Sequence, residues 1–300
     1  MECVLTLATG RRDGDLLATA IRLATAAAAG LGVQMASEAI ELTAARAVDL
    51  PFEGAEPSAV ERSVRDVLGE QPVDLAAQPR AGRRKRLLVA DMESTVIANE
   101  MLDDLGARAG IGQQVAEITA RAMRSELDFR AALAERLALL DGLDAKILDT
   151  LRAGIRVDPG ARALVGTMRA SGATTVLVTG GFDVFADPVA AQLGFDRWHA
   201  NRLRVESGRI VGTVVEPLLD RGAKRRLHEE LRSELGLERC DTLAVGDGAN
   251  DLELLAASGF GAAFHAKPAV RAAAAHRVEH GDLSTLLYFQ GFTESEIRTD

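Results

Sequence analysis

Apolar positions in the first 77 residues recur in two periods, alternating in short runs and spaced by three or four in longer ones. The pattern predicts a strand over 3–8, a helix over 14–29, short strands over 32–35 and 42–48, a helix over 57–68 opened by Pro57, and a strand over 72–76. This βαββαβ order is that of a ferredoxin-like α+β unit. The run Arg80-Ala81-Gly82-Arg83-Arg84-Lys85-Arg86 then breaks the pattern. It reads as a solvated linker beside a buried strand in preference to a nucleic-acid patch, since a short charge run rarely carries binding alone.

From Leu87 onward strands alternate with helices. An apolar strand over 87–90 precedes a helical stretch from about 100 to 153, and Asp158-Pro159-Gly160 opens the next helix as a cap with proline behind it. Strands follow over 174–178, 241–245 and 261–264, with a hairpin from 203 to 215 turning at Ser207-Gly208. The alternation predicts an α/β fold, a Rossmann-like doubly wound parallel sheet with a helical insertion directly after its first strand. Such an insertion would roof the strand tips. The expected divisions are an N-terminal domain (1–79), the basic linker (80–86) and an α/β domain (87–300), the last made of a core (87–99 and 154–291) and a helical cap (100–153).

Composition narrows the function. With 300 residues, 47% of them hydrophobic, the chain can fill more than one core. Its formal charge of -9, from 35 basic and 44 acidic residues, argues against a broad nucleic-acid or anionic-membrane surface. A small charged substrate paired with a cation fits better. Cys3 and Cys240 have neither metal-ligand spacing nor an even framework, and the Ala-rich stretch 16–40 is broken by Arg22, so a reduced, cytoplasmic setting without a membrane span is expected.

The candidate chemistry lies at strand ends. Asp91-Met92-Glu93-Ser94-Thr95 puts two carboxylates and two hydroxyls at the tip of the 87–90 strand, where ligands bind in open α/β sheets. A carboxylate there can attack phosphorus if the phosphoryl charge is neutralised. Asp91 is the candidate nucleophile, and Asp247, after Leu243-Ala244-Val245, can hold a hard divalent cation, Mg2+ being the natural choice. Thr179-Gly180-Gly181 offers a hydroxyl and exposed N–H groups to an anion, or is a plain strand-to-helix turn. Lys224 sits in the first turn of a helix opening near Asp220, where a cation opposes the macrodipole and calls for an anion, unless it points to solvent. In Gly246-Asp247-Gly248-Ala249-Asn250-Asp251 the glycines permit close backbone approach, and Asp251 can pair with Lys224 or a metal-bound water, or with Asn250 simply cap a helix. Each motif is weak alone; their joint order is specific.

These residues resemble the haloacid-dehalogenase (HAD) superfamily of phosphatases, and within it the phosphoserine phosphatases, over roughly residues 85–291. The resemblance implies an aspartyl-phosphate enzyme, a phosphoric monoester hydrolase completing serine biosynthesis, with Asp91 as nucleophile, Thr179, Gly180, Gly181 and Lys224 on the phosphate, and Asp91, Asp247 and the backbone carbonyl of Glu93 on the metal. The insertion resembles that subfamily's small cap through Ile118-Thr119-Ala120-Arg121-Ala122-Met123, Leu127-Asp128-Phe129 and Arg136. By that resemblance Glu100 binds the substrate ammonium, Arg136 its carboxylate, and Met123 and Phe129 shield the pocket, with Asn250 also at the substrate. Arg136 has independent support, because its helix neighbours Ala132, Leu133, Leu139 and Leu140 are apolar and a guanidinium buried there needs an anion. A structural ion pair is the alternative for Arg136, and favouring the helix dipole is the alternative for Glu100.

One departure stands out. The family usually carries Asp as general acid and base two residues after the nucleophile, and here Glu93 holds that place, which moves the carboxyl by about 1.5 Å. Glutamate at this position also resembles phosphoserine:homoserine phosphotransferases, so transfer to another alcohol is a second reading. A third, of another class, is a serine-sensing regulator with weakened catalysis, since the N-terminal unit resembles small ligand-binding domains of the ACT type. That unit's role is open between binding serine, forming a homodimer and packing against the core. His276 and His280 share an expected helix face with no third ligand at zinc spacing.

Overall fold

The computed structural model describes residues 2–36, 38–124 and 126–299, and the Met123 side chain lies outside the described residues. The N-terminal part runs β1 (Cys3–Thr9), α1 (Gly14–Gly30), β2 (Ile40–Thr43), β3 (Ala47–Phe52), α2 (Pro57–Leu68) and β4 (Val73–Pro79). Its antiparallel sheet has the order β2-β3-β1-β4, and the two helices cover one face. That is the ferredoxin-like arrangement. Asp13 caps α1 through Oδ1, which accepts from the Leu16 N–H at 3.0 Å, and Ala20, Ala24 and Ala28 on its buried stripe let it lie close on the sheet.

Two strand expectations here need correction. Residues 42–48 form the bend of a hairpin, with Thr43 paired to Ala47, and Ala45 takes φ 56° without the glycine or asparagine that would mark a turn. Residues 32–35 contribute one bridge, Met35 to Phe52.

The second part runs β5 (Leu87–Ala90), α3 (Met101–Arg108), α4 (Gly112–Met123), α5 (Phe129–Ala138), α6 (Lys146–Ala153), α7 (Ala161–Ala170), β6 (Thr174–Phe182), α8 (Asp183–Leu193) and β7 (Arg197–Asn201). It continues through the hairpin β8 (Val205–Glu206) and β9 (Arg209–Ile210), α9 (Arg221–Glu234), β10 (Thr242–Gly246), α10 (Leu252–Ala257), β11 (Phe260–Phe264), α11 (Pro268–Ala273), β12 (His276–Val278) and α12 (Thr285–Phe289). Six strands form a parallel sheet in the order β12-β11-β10-β5-β6-β7. The chain moves outward from β5 through β6 to β7 and then returns to β10, so the carboxyl ends of β5 and β10 flank the switch point. β5, β10 and β11 are buried throughout, as strands covered on both faces must be.

Helices α3–α6 form the cap between β5 and the rest of the core. Its two connections are stapled: the Ala98 N–H donates to Arg156 O at 2.8 Å, the Asp158 N–H to Val96 O at 2.9 Å, and the Arg156 N–H to Asn99 Oδ1 at 2.8 Å. The expected cap at Asp158 shifts, for α7 starts at Ala161 and Asp158 Oδ1 accepts from the N–H groups of Gly160 and Leu283. His276 lies on β12, not on a helix, and stacks on Phe260 with ring centroids 4.0 Å apart.

The N-terminal sheet meets the core directly. The buried Asp74 carboxylate on β4 accepts N–H bonds from Glu279 and Gly281, each 2.7 Å. The basic run is not simply solvated. Arg83 pairs with Asp49 at 2.6 Å, Arg84 with Glu296 at 2.8 Å, and the buried Lys85 ammonium donates to the carbonyls of Gly82 and Cys240. Among the described residues no helix is long and apolar enough to cross a membrane.

Candidate active site

Asp91 follows β5, and its N–H extends the ladder to Val245 O at 3.0 Å, which fixes the residue at the carboxyl end of this central strand. Its Oδ1 accepts from the Met92 N–H at 2.8 Å and from Lys224 Nζ at 2.8 Å. The loop beyond it turns at Ser94, with φ 52°. Lys224 lies in the first turn of α9, whose cap Asp220 accepts from the Ala223 N–H at 2.8 Å. The side chain is 1% exposed and also reaches Asp251 Oδ1 at 2.7 Å, which removes the solvent-pointing alternative. Burial acts to lower the ammonium's pKa, but the carboxylates of Asp91 and Asp251 outweigh it and hold it above the usual lysine value.

Asp251 is fully buried and makes no side-chain cap bond to α10, so plain helix capping does not describe it. It instead joins Lys224 and accepts from the Gly248 N–H at 3.2 Å. A Cβ at Gly246 would stand 2.5 Å from the Asp251 carboxyl, so that glycine is what lets the loop fold over it. Asn250 is exposed and turns back toward Asp251, with Nδ2 3.4 Å from Oδ1.

Carboxyl oxygens of Asp91, Asp247 and Asp251 lie within 4.8 Å of one another. Burial, together with the charges of Asp91 and Glu100, pushes the Asp247 carboxyl up to about 7. One ammonium does not balance three carboxylates, and this all-oxygen donor set suits a metal ion of the hard divalent class. Thr95, quoted above without a role, donates through Oγ1 toward Asp247 Oδ1 at 3.4 Å.

Glu93 Oε1 accepts from the Met101 N–H, the first of α3, at 2.9 Å, while burial and then the Glu100 and Asp91 charges push this carboxyl up to about 8. Opposite stands β6. Contrary to expectation the strand does not end at Thr179 but runs to Phe182, its pairing with β7 shifting between Val178 and Phe182, so the two glycines sit in an irregular strand segment and not in a turn. Thr179 is buried, and its Oγ1 accepts from the Gly181 N–H at 2.9 Å.

The cap supplies the remaining groups. Glu100 precedes α3 without capping it; its Oε1 accepts from Ser94 Oγ at 2.7 Å, and although the residue keeps an exposed side, partial desolvation, with the Asp103 and Asp91 charges, raises its pKa. Phe129 opens α5, and its ring edge comes within 3.9 Å of the space above Gly180. Arg130 beside it pairs with Glu216 of the core. Arg136 is half-buried, donates through Nε to Ala132 O at 3.2 Å, and makes no ion pair among the described residues. Burial lowers its pKa, opposed by the more distant charges of Asp103, Glu93 and Glu100. The expectation for Met123 lies outside the described side chains. Sequence reasoning missed Asn99, whose buried amide joins both cap connections and sets the approach of Glu100 and Met101; no motif marks it.

A doubly wound parallel sheet, an acidic group at its switch point and a helical cap rooted behind the first strand together define the class: the chain belongs to the haloacid dehalogenase-like hydrolase family, matched over residues 88–256. More particularly, it is similar to the phosphoserine phosphatase of Streptomyces coelicolor, 41% identical over 253 residues that cover 84% of this chain and 62% of that protein. The chain thus spans less than two thirds of that relative's length. Among solved structures it is similar to the unliganded probable phosphoserine phosphatase from Vibrio cholerae, with TM-score 0.78 and 28% identity over 97% of this chain and 86% of that one. It is also similar to a phospho-aspartyl intermediate analogue of phosphoserine phosphatase, with TM-score 0.64 and 33% identity over 69% of this chain and 99% of that one.

Proposed function

We propose that this protein hydrolyses O-phospho-L-serine to serine and phosphate through a phosphorylated Asp91. The observation that carries the reading is the position of Asp91 at the switch point, with its Oδ1 held by buried Lys224. In the first step an Asp91 oxygen forms a bond to phosphorus as the phosphorus bond to the serine oxygen breaks, and the Glu93 carboxyl gives its proton to that oxygen. In the second, the Glu93 carboxylate takes a proton from water, whose oxygen bonds to phosphorus as the Asp91 ester bond breaks. Thr179 Oγ1, the Gly180 N–H and Lys224 would hold the phosphoryl oxygens, whereas the Gly181 N–H, expected to join them, is taken up by Thr179 Oγ1.

Asp91, Asp247 and the backbone carbonyl of Glu93 would hold Mg2+, with Asp251 fixing Lys224 beside it. The ion would supply positive charge against the phosphoryl oxygens. Substrate choice is assigned to the cap, with Arg136 on the carboxylate and Glu100 on the ammonium; that Arg136 has no ion-pair partner among the described residues supports this. We assign residues 1–79 to a separate ACT-like domain that binds an amino acid, dimerises the chain or braces the core through Asp74, and we place the protein in the cytoplasm.

The test is phosphate release from L-phosphoserine, phosphothreonine, phosphoethanolamine and glycerol phosphate, with and without Mg2+. Magnesium-dependent preference for phosphoserine is expected. Turnover without preference would remove the substrate assignment, and serine binding without turnover would favour a sensor. A new phosphomonoester formed when homoserine is added would favour a phosphotransferase.

A further inference from the structure

Resting on the role given to Glu93 above, we propose that Gly181 is a positioning residue for Glu93, its missing side chain being what lets the longer carboxylic acid fit at this place. A Cβ built on Gly181 would stand 2.8 Å from Glu93 Oε2, 3.1 Å from Glu93 Cδ and 3.1 Å from Thr179 Oγ1. Glu93 is thus wedged between two elements: Oε1 on the Met101 N–H at the start of α3 and Oε2 against the backbone of β6. Glu93 has three rotatable bonds and would retreat from an added methyl, and because Oε1 is tied to the Met101 N–H, that retreat is expected to strain this bond and move the carboxyl.

Gly181 has no conformational need of its own to be glycine, for it is not among the glycines with positive φ. An alanine is backbone-compatible there, so the exclusion is one of packing. Aspartate at 93 would be shorter by one methylene, about 1.5 Å, and would withdraw from Gly181. Residues 93 and 181 therefore form a size-matched pair, in which the longer acid requires the residue without a Cβ.

The test is a four-chain comparison of the unaltered protein, Gly181→Ala, Glu93→Asp and the double variant, reading kcat and KM for phosphoserine, the unfolding midpoint and the hydrogen-exchange rate of the Met101 amide. In the Glu93 background Gly181→Ala should lower kcat about tenfold or more with little change in KM, as expected for a displaced proton-transfer group. It should also speed Met101 exchange about tenfold as that hydrogen bond is lost. In the Glu93→Asp background the same substitution should cost less than about twofold in kcat. Equal losses in both backgrounds would point to Thr179 and overturn the pairing, as would unchanged Met101 exchange. Should Gly181→Ala fail to fold, recovery of folding in the double variant supports the pairing and continued failure overturns it. If the unaltered chain releases no phosphate, the proposed function falls, and Met101 exchange in the four chains decides the pairing independently.

Discussion

Lys224 Nζ sits 2.8 Å from Asp91 Oδ1 with both side chains out of solvent, so the cation and the candidate nucleophile are locked in one geometry before any substrate arrives. This preorganisation leaves little rearrangement for the reaction itself. Replacing Asp91 with Asn keeps the size and removes the nucleophile. We expect phosphate release to be lost and no phosphoenzyme to be trapped by acid quench with labelled substrate. Retained turnover in Asp91→Asn would rule out the covalent route.

Lys224→Met should be costly to the fold as well as the site. The substitution strands Asp91 and Asp251 as buried carboxylates without their cation, and breaking such a pair costs about 3–5 kcal/mol. Urea unfolding in chelator, so that no divalent ion substitutes for the ammonium, would measure it. A loss below 1 kcal/mol would mean that water or protonation compensates.

Cation binding should register apart from turnover. An ion held only by the folded chain stabilises it by about 2.7 kcal/mol at a hundred times its Kd. Magnesium should therefore raise the unfolding midpoint of the intact protein, and Asp247→Asn should abolish most of that rise. An equal rise in the variant would place the ion elsewhere.

Arg136→Ala tests recognition. A charge-assisted bond to a carboxylate contributes about 1.5–3 kcal/mol, so KM for phosphoserine should rise about 10- to 150-fold. Phosphoethanolamine, which has no carboxylate, should be handled as before. Parallel losses on both substrates would make Arg136 a structural residue of the cap.

His228 makes stability depend on pH. It is 1% exposed, its Nε2 meets Ser258 Oγ at 3.3 Å, its Nδ1 has no partner among the described residues, and burial followed by the Arg232 charge brings its pKa down to about 4 from 6.5. Between these values the unfolded chain takes up the proton and the folded one does not. Stability is therefore lost as pH falls from about 6.5 toward 4, by up to about 3 kcal/mol at the low end. Carboxylates titrate over the same range, so the measurement is the difference between the intact protein and His228→Gln in urea midpoints from pH 7 to 4.5. Parallel curves would remove His228 as the cause.

The element order was largely legible. Short apolar runs such as 87–90 and 243–245, bounded by polar residues or glycine, read as strands covered on both faces, and the 3.6-residue stripes of α1, α2 and α9 are plain. What escaped was short or unmarked. β7 and β12 are half-exposed strands rich in polar side chains, recruited by pairing with neighbours, and the 43–47 hairpin turns on an alanine. The extension of β6 past Thr179 comes from its bond with β7 across an irregularity that no local pattern announces.

For the site, residue types at strand ends and at one helix start made Asp91, Thr179, Asp247 and Lys224 the candidates from the chain alone, and the fold brings Lys224 and Asp247 to Asp91. Only tertiary structure decided that Asp251 pairs with Lys224 in place of capping α10, that Lys85 in the basic run is buried, and that Gly181 meets the Glu93 carboxyl. Sequence fixes which groups a residue can offer through its own covalent chemistry and the period of its element. Which partner a group meets across the fold is a sum of long-range packing and charge, and that exists only once strands distant in the chain lie side by side.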